Sequence, residues 1–388
     1  MTLQTKLDHL FQSAVDQGDV PGVVAVVVDR DGSRYEGAFG KRNLTADAPM
    51  TVDTVAWIAS MTKAITAACA MQLVEQGKLD LHSPASQWVP MLAEAQVLTG
   101  WDADGQPILR PPRQPVTLHH LLTHTAGFSY EFWNADILRY QQVMGIPGAA
   151  SCERRALTTP MLFDPGERWE YGISIDFAGM AVEAVSGKSL SQYMREALFE
   201  PLGMRDSAMK IRPDMRARLA SMHARDAEGG LAPMEFELPQ EPEVELGGGA
   251  LYSTASDYAR FIRMVLNRGE LDGQRVLAAS TVDLMCRNAI GDLTIPKLTS
   301  VLPAFSHDIE FLPGVKKGWG YSWLINLEPV PGGRSAGSLF WAGLSNSYFW
   351  IDPSRGIGGV YISQIVPFAD PKSLALFAAF EAAVYEYC

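Results

Sequence analysis

Apolar runs near both ends of the chain predict a sheet whose strands come from the two termini. The run 23–28 is rich in β-branched residues, and an Asp-Gly pair separates it from the run 34–39. A strand, an Asp-Gly turn and a second strand are typical of a β-hairpin. Towards the end of the chain, apolar runs separated by Gly, Pro, Asp and Asn predict further strands over 320–327, 338–342, 347–351 and 358–364.

Helical spacing of apolar residues predicts helices at both ends and through the middle of the chain. Residues 3–15 form an amphipathic pattern, and residues 372–387 predict a closing helix. The run 60–76 is rich in Ala, Met and Leu and is followed by a glycine, as expected of a buried helix with a glycine stop. A further helix is predicted over 256–267, with Ser256 as its N-cap.

These elements predict an α/β fold in which an antiparallel sheet is flanked by helices and carries an inserted all-helical domain. Residues 1–56 and 245–388 would form the sheet domain from both termini, and residues 57–244 the mainly helical insertion. Within the insertion, the segment 101–115 contains an Asp-Gly pair and four prolines, and we expect it to be a surface excursion. The active site is expected between the two domains.

Composition and charge narrow the function classes. The chain has 388 residues, of which 47% are apolar, and its formal net charge of −12 disfavours nucleic-acid partners, which require a basic surface. The first residues lack the apolar core and cleavage site of a signal peptide, and no run is long enough to span a membrane. Four cysteines without short paired spacing indicate free thiols, so we expect a cytoplasmic protein without membrane partners.

Several common catalytic and cofactor motifs are missing from the sequence. The G-x-S-x-G pattern of α/β-hydrolases is absent, and Gly247-Gly248-Gly249 lacks the Lys and Ser/Thr of a phosphate-binding loop. His120 and His124 are spaced to share a helix face, but no third zinc ligand accompanies them. We therefore expect neither a metal nor a cofactor.

The informative element is the S-x-x-K spacing of Ser60 and Lys63. Residues three apart lie on one face of a helix, so Lys63 can reach the Ser60 hydroxyl, and free amides at the helix N-terminus stabilise an oxyanion. A lysine beside an apolar helix also loses hydration, which favours its neutral, basic form. The alternative is an N-capping serine with a solvent-facing lysine one turn on. A second copy of the spacing, Ser207 and Lys210, lies in a polar, turn-rich stretch and is expected to be structural.

Five motifs follow one another in an order that is informative by itself. They are, in chain order, WIASMTK at 57–63, LLTHTAG at 121–127, DPGERWEY at 164–171, GGALYST at 248–254 and YFWIDP at 348–353. With these motifs over nearly its whole length, the chain resembles the class C β-lactamase and penicillin-binding-protein superfamily, for which S-x-x-K is a known signature. Five ordered motifs are far more specific than any one of them.

The resemblance implies roles for further residues. Tyr171 would be the tyrosine of the family's Y-x-N motif and would move protons together with Lys63. The backbone amides of Ser60 and Leu344 would form the oxyanion hole. Gly343 would allow the strand to approach the substrate closely, although it could equally serve strand packing.

Two departures from the lactamase pattern indicate neutral substrates. Trp341-Ala342-Gly343 stands where lactamases have K-T-G or H-x-G, so the cation and hydroxyl that hold a substrate carboxylate are missing. Ile173 stands where the asparagine of Y-x-N would bind an acylamino side chain. A tryptophan at the first position resembles the family VIII carboxylesterases, and Trp341 and Gly343 are expected to bind substrate.

Aromatic residues after the L-L-T-H-T segment are candidates for an acyl pocket. Phe128, Tyr130, Phe132 and Trp133 follow it, and Tyr130 is expected to contact substrate, although the core or an interface would suit these aromatics equally. A Ser-His-Asp triad would need a histidine beside the nucleophile, whereas in this fold the His124 segment is expected to be structural.

The sequence thus predicts a serine carboxylesterase that hydrolyses small neutral esters through a Ser60 acyl-enzyme, with Lys63 and Tyr171 as acid and base. Its partner would be a small-molecule ester. A β-lactamase, a hydrolase of short amide oligomers and an acyltransferase would use the same site and stay open, as does the choice of Lys63 or Tyr171 as general base. The alternative from another class is a non-catalytic acyl-binding protein on the same scaffold.

Overall fold

The computed structural model describes residues 2–388. Its strands are β1 (Gly22–Asp29), β2 (Ser33–Asn43), β3 (Ala48–Pro49), β4 (Ala56–Trp57), β5 (Val97–Trp101), β6 (Pro107–Arg110), β7 (Met222–Arg225), β8 (Leu231–Met234), β9 (Tyr252–Ser253), β10 (Glu270–Leu271), β11 (Gln274–Arg275), β12 (Lys317–Trp319), β13 (Leu324–Asn326), β14 (Leu339–Gly343), β15 (Ser347–Asp352), β16 (Ile357–Ile362) and β17 (Ile365–Val366). Its helices are α1 (Leu3–Asp16), α2 (Thr62–Glu75), α3 (Leu118–Leu122), α4 (Ala135–Met144), α5 (Ser174–Ser186), α6 (Leu190–Met194), α7 (Glu200–Leu202), α8 (Pro213–Arg216), α9 (Ala255–Leu266), α10 (Ala279–Met285) and α11 (Pro371–Tyr387).

An eight-stranded antiparallel sheet, in the order β12-β13-β14-β15-β16-β1-β2-β3, joins the two ends of the described chain. The strands of the two ends meet where β1 pairs with β16, and there Val26 lies opposite Val360. The predicted β1–β2 hairpin and the later predicted strands are confirmed. The predicted strand 320–327 is shorter in the structure, because its first residues form the bend between β12 and β13.

Helices cover both faces of this sheet. Neighbouring residues of a strand point to opposite faces, so Gly358 and Tyr361 of β16 face opposite sides. Gly358 leaves room for α9, since a Cβ atom there would come within 2.6 Å of the Ile262 side chain. On the other face, Phe11 of α1 packs against Tyr361 of β16 and Phe380 of α11. The ring centroid of Phe11 lies 6.4 Å from that of Tyr361 and 5.3 Å from that of Phe380. The predicted antiparallel sheet flanked by helices is therefore the observed fold.

Helix α2 is buried on all sides and directly follows the predicted nucleophile. Every residue from Thr62 to Leu73 is buried, which explains why its sequence lacks a polar face. Helix α5 packs alongside it. Because α2 begins at Thr62, Ser60 lies in a separate helical turn, Ala59–Met61, immediately before the helix. The sequence had predicted Ser60 as the first residue of α2.

The middle segment, predicted to be all-helical, also carries two β-ribbons. β5 pairs with β6, while β7 pairs with β8 and, in parallel, with β17. The first ribbon accounts for part of the proline-rich segment 101–115, and its Asp-Gly turn connects the two strands. Such short ribbons lack the apolar alternation that would reveal them in a sequence. The division into a sheet domain and an insertion at 57–244 stays a prediction.

The N-cap of α9 is Thr254, so the prediction of Ser256 was wrong. Thr254 has extended backbone angles, and its side chain accepts a hydrogen bond from the Asp257 amide 3.1 Å away. Ser256 lies two residues further on, inside the helix. The sequence offers hydroxyls at both positions, and the pairing of β9 with β4 decides between them because the paired strand ends at Ser253, directly before Thr254.

The cysteines are free thiols, as predicted, with Cys69 and Cys152 buried and Cys388 exposed. Burial raises the pKa of the Cys152 thiol to about 12, so this thiol is uncharged at neutral pH. In the part of the chain described, residues 2–388, no helix is both long enough and apolar enough to cross a membrane.

We predict that Thr254→Ala lowers the free energy of unfolding by about 1 kcal/mol, because it removes the N-cap of α9. Ser256→Ala is the matched control and should change stability by less than about 0.5 kcal/mol. Urea unfolding followed by circular dichroism measures both. An equal loss in the two variants would contradict the assignment of the cap to Thr254.

Candidate active site

Ser60 is presented by a sharp turn between β4 and α2. β4 is held by β9, and the Ile58 amide donates to the Leu251 carbonyl 3.0 Å away. Ala59 then adopts a φ of 45°, a left-handed conformation that is strained for a residue with a Cβ atom. Ser60 follows this residue and lines a cavity in the surface.

Strand β14 packs directly against this turn. A Cβ atom on Gly343 would lie 2.3 Å from the Ile58 carbonyl oxygen and 3.3 Å from Ala59 Cβ. Glycine is therefore required for the strand to approach the nucleophile segment, which supports the packing interpretation of this residue. Leu344, whose amide is the predicted second oxyanion donor, lines the same cavity as Ser60.

Lys63 is fully buried and reaches three oxygen atoms. Its Nζ lies 3.0 Å from Ser60 Oγ, 3.0 Å from Tyr130 Oη and 2.6 Å from the Gly248 carbonyl oxygen. Loss of hydration on burial lowers the pKa of Lys63 from its usual value to about 7. The lysine can therefore gain or lose its proton near neutral pH. A solvent-facing Lys63 is excluded, because its exposed fraction is 0%.

The loop before β9 connects Lys63 to a buried carboxylate. The Gly248 carbonyl accepts from Lys63, and the Gly248 amide donates to Asp176 Oδ1 at 2.7 Å. Asp176 stands in the first turn of α5 and is 1% exposed. Burial raises its pKa to about 6, an effect that the charge of Lys63 opposes. A Cβ atom on Gly248 would lie 2.9 Å from Asp176 Oδ1 and 3.1 Å from Tyr130 Oη, so a side chain here would separate these groups.

Tyr171 lies beside both Ser60 and Lys63. Its hydroxyl accepts a hydrogen bond from Trp341 Nε1 at 2.9 Å, and the Ser60 side chain is near enough to favour its ionised form. Its ring centroid is 4.8 Å from Lys63 Nζ. Burial raises the pKa of Tyr171, and the hydrogen bonds from Ser60 and Trp341 offset this only in part. The phenol is therefore neutral at pH 7, a state in which it donates or relays a proton.

The cavity in front of Ser60 is largely aromatic and aliphatic. It holds about 730 Å³ of empty space, part of which is open to solvent. Its apolar wall includes Phe132, Trp133, Leu246, Leu298, Phe311 and Phe368. Among the described residues that line it, Asp176 is the one charged side chain, and there is no lysine or arginine. Such a surface suits a neutral, apolar group more than an anionic one.

The predicted site residues converge on this cavity. Ser60, Tyr130 and Tyr171 line it, and Trp341, Gly343 and Leu344 form the adjacent wall. Trp341 presents its ring to the cavity, but its N–H is engaged by Tyr171.

Phe128 and His124, two further candidates from the sequence, do not line this cavity. Phe128 packs against Phe177 in the core, with ring centroids 4.8 Å apart. His124 is buried with its ring 4.8 Å from that of Tyr171, and its Nδ1 faces the Gly172 amide at 3.5 Å. The hydroxyl of Ser60 pairs with Lys63 and Tyr171, so the arrangement of a Ser-His-Asp triad is not present around it.

The second S-x-x-K copy has a different environment. The Ser207 hydroxyl donates to Asp257 Oδ2 at 2.9 Å, and Lys210 reaches outward to Glu241 at 2.8 Å. The two residues thus have separate partners, and the expected structural role of Ser207 follows from its buried hydrogen bond to Asp257.

Sequence reasoning missed Asp176 and the contact between Tyr130 and Lys63. Asp176 is the one charged residue in the otherwise mostly apolar stretch 171–182, a signal that the sequence does contain. A lone acid in a buried helix requires a partner. The partner itself, however, is fixed by the packing of α5 against α2, which no local pattern reveals.

Comparison with known proteins places this geometry in a family. The sequence model described as Beta-lactamase matches residues 7–383, and the chain therefore belongs to this family. The simvastatin synthase of Aspergillus terreus, in its LovD6 mutant form, superimposes with a TM-score of 0.85 at 31% identity, covering 98% of this chain and 94% of that one. EstCE1, a hydrolase with promiscuous acyltransferase activity, shares the fold, with a TM-score of 0.78 at 22% identity over 99% and 98% of the two chains.

Two curated relatives are similar over nearly the full chain. Monacolin J acid methylbutanoyltransferase from Aspergillus terreus is 32% identical over 396 residues, which cover 98% of this chain and 95% of the relative. Lovastatin esterase from Penicillium rubens is 33% identical over 376 residues, covering 93% and 92%. The protein is thus a serine hydrolase or acyl-transfer enzyme of the β-lactamase fold, and the predicted superfamily is confirmed.

We predict that Gly248→Ala lowers kcat/KM for an ester by about 100-fold, because the new Cβ atom displaces Asp176 or Tyr130 from Lys63. Gly249→Ala is the matched control, since the nearest atom to its Cβ would be 3.9 Å away, and we expect a change within about threefold. Steady-state kinetics with p-nitrophenyl butyrate compares the two, with circular dichroism to verify folding. Two folded variants with equal rates would refute the role of this close approach.

Proposed function

We propose that the protein is a serine carboxylesterase that hydrolyses small neutral esters through an acyl-enzyme on Ser60. The observation that carries this proposal is the cavity itself. Its wall is aromatic and aliphatic, it has no lysine or arginine among the described residues, and Ser60 opens into it. A lactamase substrate carries a carboxylate that needs a cationic partner, whereas a short-chain ester does not.

In the proposed mechanism, Lys63 is the general base. The Gly248 carbonyl can only accept, so it always takes one hydrogen of Lys63, at 2.6 Å. A neutral amine has one further hydrogen and one lone pair. If that hydrogen goes to Tyr130, 3.0 Å away, the lone pair faces Ser60 Oγ, also at 3.0 Å. The neutral form of Lys63 is therefore oriented to take the proton of the attacking hydroxyl.

Tyr171 is proposed to deliver the proton to the leaving alcohol. The Trp341 N–H donates to its hydroxyl oxygen, so the phenolic hydrogen is directed away from Trp341 and is available to a leaving group at Ser60. Because burial keeps the pKa of Tyr171 raised, the phenol keeps its proton until a more basic leaving group approaches. In deacylation the same groups would activate water in the reverse order.

The amides of Ser60 and Leu344 are proposed to hold the oxyanion. Both residues line the cavity, and the close packing of Gly343 on Ile58 brings the two chain segments together. Backbone amides held in this way stabilise the tetrahedral intermediate without reorganising during the reaction.

Acyl transfer to an alcohol is the second candidate function. One relative is named a methylbutanoyltransferase and another an esterase. An esterase passes its acyl group to water, and an alcohol, which is also an O–H nucleophile, could take the place of water. The open, apolar part of the cavity offers room for an alcohol beside the acyl-enzyme. The resemblance of Trp341 to the tryptophan of family VIII carboxylesterases favours water, whereas the similarity to a named acyltransferase favours an alcohol.

We predict that the wild type hydrolyses p-nitrophenyl butyrate with many turnovers per site and that Ser60→Ala lowers the rate by about 10³-fold or more. Ser207→Ala, from the second S-x-x-K copy, is the matched control and should keep the wild-type kcat. Intact-mass spectrometry should detect an acyl adduct in the wild type alone. A chromogenic cephalosporin and a short amide should turn over more slowly than the ester.

Each alternative outcome has a distinct meaning. A cephalosporin or amide rate equal to the ester rate would overturn the esterase assignment. Stoichiometric acylation without turnover would support a non-catalytic acyl-binding protein. A butyrate ester formed in the presence of an added alcohol, at a rate above hydrolysis, would favour the acyltransferase.

We predict that kcat/KM rises about tenfold between pH 6 and pH 8 and then levels off. Burial lowers the pKa of Lys63 to about 7, and the base must be neutral, so its active fraction grows as the pH passes this value. A pH profile with p-nitrophenyl butyrate, whose acyl group does not titrate, measures the effect. A flat or falling profile over this range would exclude Lys63 as the base.

A further inference from the structure

The carboxyl group of Asp176 is a buried charge for which the acyl-transfer chemistry described above has no use. Its side chain lines the catalytic cavity and is 1% exposed. A buried carboxylate is costly unless it is hydrogen-bonded or paired with a cation. The Gly248 amide satisfies Oδ1 at 2.7 Å, and the cation that acts on Asp176 is Lys63.

The backbone of Gly248 connects Asp176 and Lys63 through its two flanking peptide units. The carbonyl of Gly248 accepts from Lys63 at 2.6 Å, and its amide donates to Asp176 at 2.7 Å. The backbone of one residue therefore bridges the anion and the cation. Asp176 is held by the first turn of α5, and Lys63 by the first turn of α2. Any change at Asp176 is thus transmitted to the group that faces Ser60.

The other titratable groups around this pair keep one charge state near neutral pH. Burial raises the pKa values of Tyr130 and Tyr171, raises that of Cys152 to about 12, and lowers that of His124 well below its usual value. All four are therefore uncharged at neutral pH. Burial also raises the pKa of Glu131, a carboxylate that acts on Tyr130 and accepts from the Ala149 amide at 3.1 Å.

We propose that Asp176 is a positioning residue that supplies the counter-charge of Lys63 and thereby sets the pH at which Lys63 becomes a base. This inference rests on the proposed function, because it concerns the base of the same reaction. A nearby anion stabilises the ammonium form, so it opposes the effect of burial. Without the carboxylate, Lys63 would lose its proton at a lower pH and would still face Ser60.

The test is the pH dependence of kcat/KM in Asp176→Asn, measured from pH 5 to pH 9 with p-nitrophenyl butyrate. Asparagine keeps an acceptor for the Gly248 amide and removes the charge. We expect the acid limb to move to lower pH by about one unit or more, as is typical when an opposite charge is removed from a buried group. The rate at pH 5.5 relative to that at pH 8.5 should therefore rise, whatever happens to the absolute rate.

Asp257→Asn is the matched control. Asp257 is also a buried carboxylate in the first turn of a helix, its pKa is also raised by burial to about 6, and it bonds to the Asp206 amide and Ser207. It lies outside the cavity lining. Its variant should show the acid limb of the wild type. If the acid limb of the Asp176→Asn profile stays in place while kcat falls, Asp176 has only a structural role. That result would overturn the proposal.

If the asparagine variant does not fold, a second uncharged variant, Asp176→Ser, replaces it. The same shift of the acid limb to lower pH is expected. Ser60 labelling by a fluorophosphonate, followed by intact mass over the same pH range, separates this proposal from the proposed function. A wild type that is labelled but turns over no ester would overturn the esterase function. In that case, the pH at which Ser60 labelling rises should still be lower in the two Asp176 variants than in the wild type. If this pH is unchanged, the role of Asp176 is refuted by that result alone.

Discussion

The burial of Lys63 is the interaction on which the rest of the site depends. An ammonium group removed from water is unstable unless acceptors and a counter-charge replace its hydration. The fold supplies these from distant parts of the chain: Ser60 from the turn before α2, Tyr130 from the segment between α3 and α4, Gly248 from the loop before β9, and Asp176 from α5. Burial lowers the pKa of this lysine, and the charge of Asp176 opposes that change. Their opposition leaves a group that titrates near pH 7, which is the property that general-base chemistry needs.

The same requirement explains why glycine occupies two close approaches in the site. At Gly343, a Cβ atom would lie 2.3 Å from the Ile58 carbonyl oxygen, and at Gly248 it would lie 2.9 Å from Asp176 Oδ1. A side chain at the first position would push β14 away from the turn that carries Ser60. At the second position it would lengthen the peptide bridge between Lys63 and the carboxylate. The strained φ of 45° at Ala59 belongs to the same arrangement, because the turn must present Ser60 to the cavity while β4 stays paired with β9.

The predictable and unpredictable parts of this structure differ in the range of the interactions that determine them. The β1–β2 hairpin, helix α2 and the S-x-x-K contact between Ser60 and Lys63 follow from residues a few positions apart, and the sequence predicts them. The order of the five motifs predicted the fold and the candidate role of Tyr171, which local patterns alone could not predict. The cap of α9 was misassigned because Thr254 and Ser256 are chemically equivalent until β9 is paired. Asp176 escaped attention because its partner is brought to it by helix packing.

Hydrolysis and acyl transfer share every step up to the acyl-enzyme, so the catalytic groups by themselves do not separate them. Lys63 and Tyr171 would handle the proton of water and that of an alcohol alike, since both acceptors present an O–H group of similar acidity to the same carbonyl. Selection must therefore come from what occupies the cavity when the acyl-enzyme is attacked. A wall of Phe132, Trp133 and Phe311 gains free energy by covering an apolar alcohol but gains little from water. A bulky apolar alcohol at sufficient concentration therefore competes with water because it contacts the cavity wall. The ratio of the new ester to the free acid then measures the effect of this wall. The sum of the two products measures the activity of Lys63.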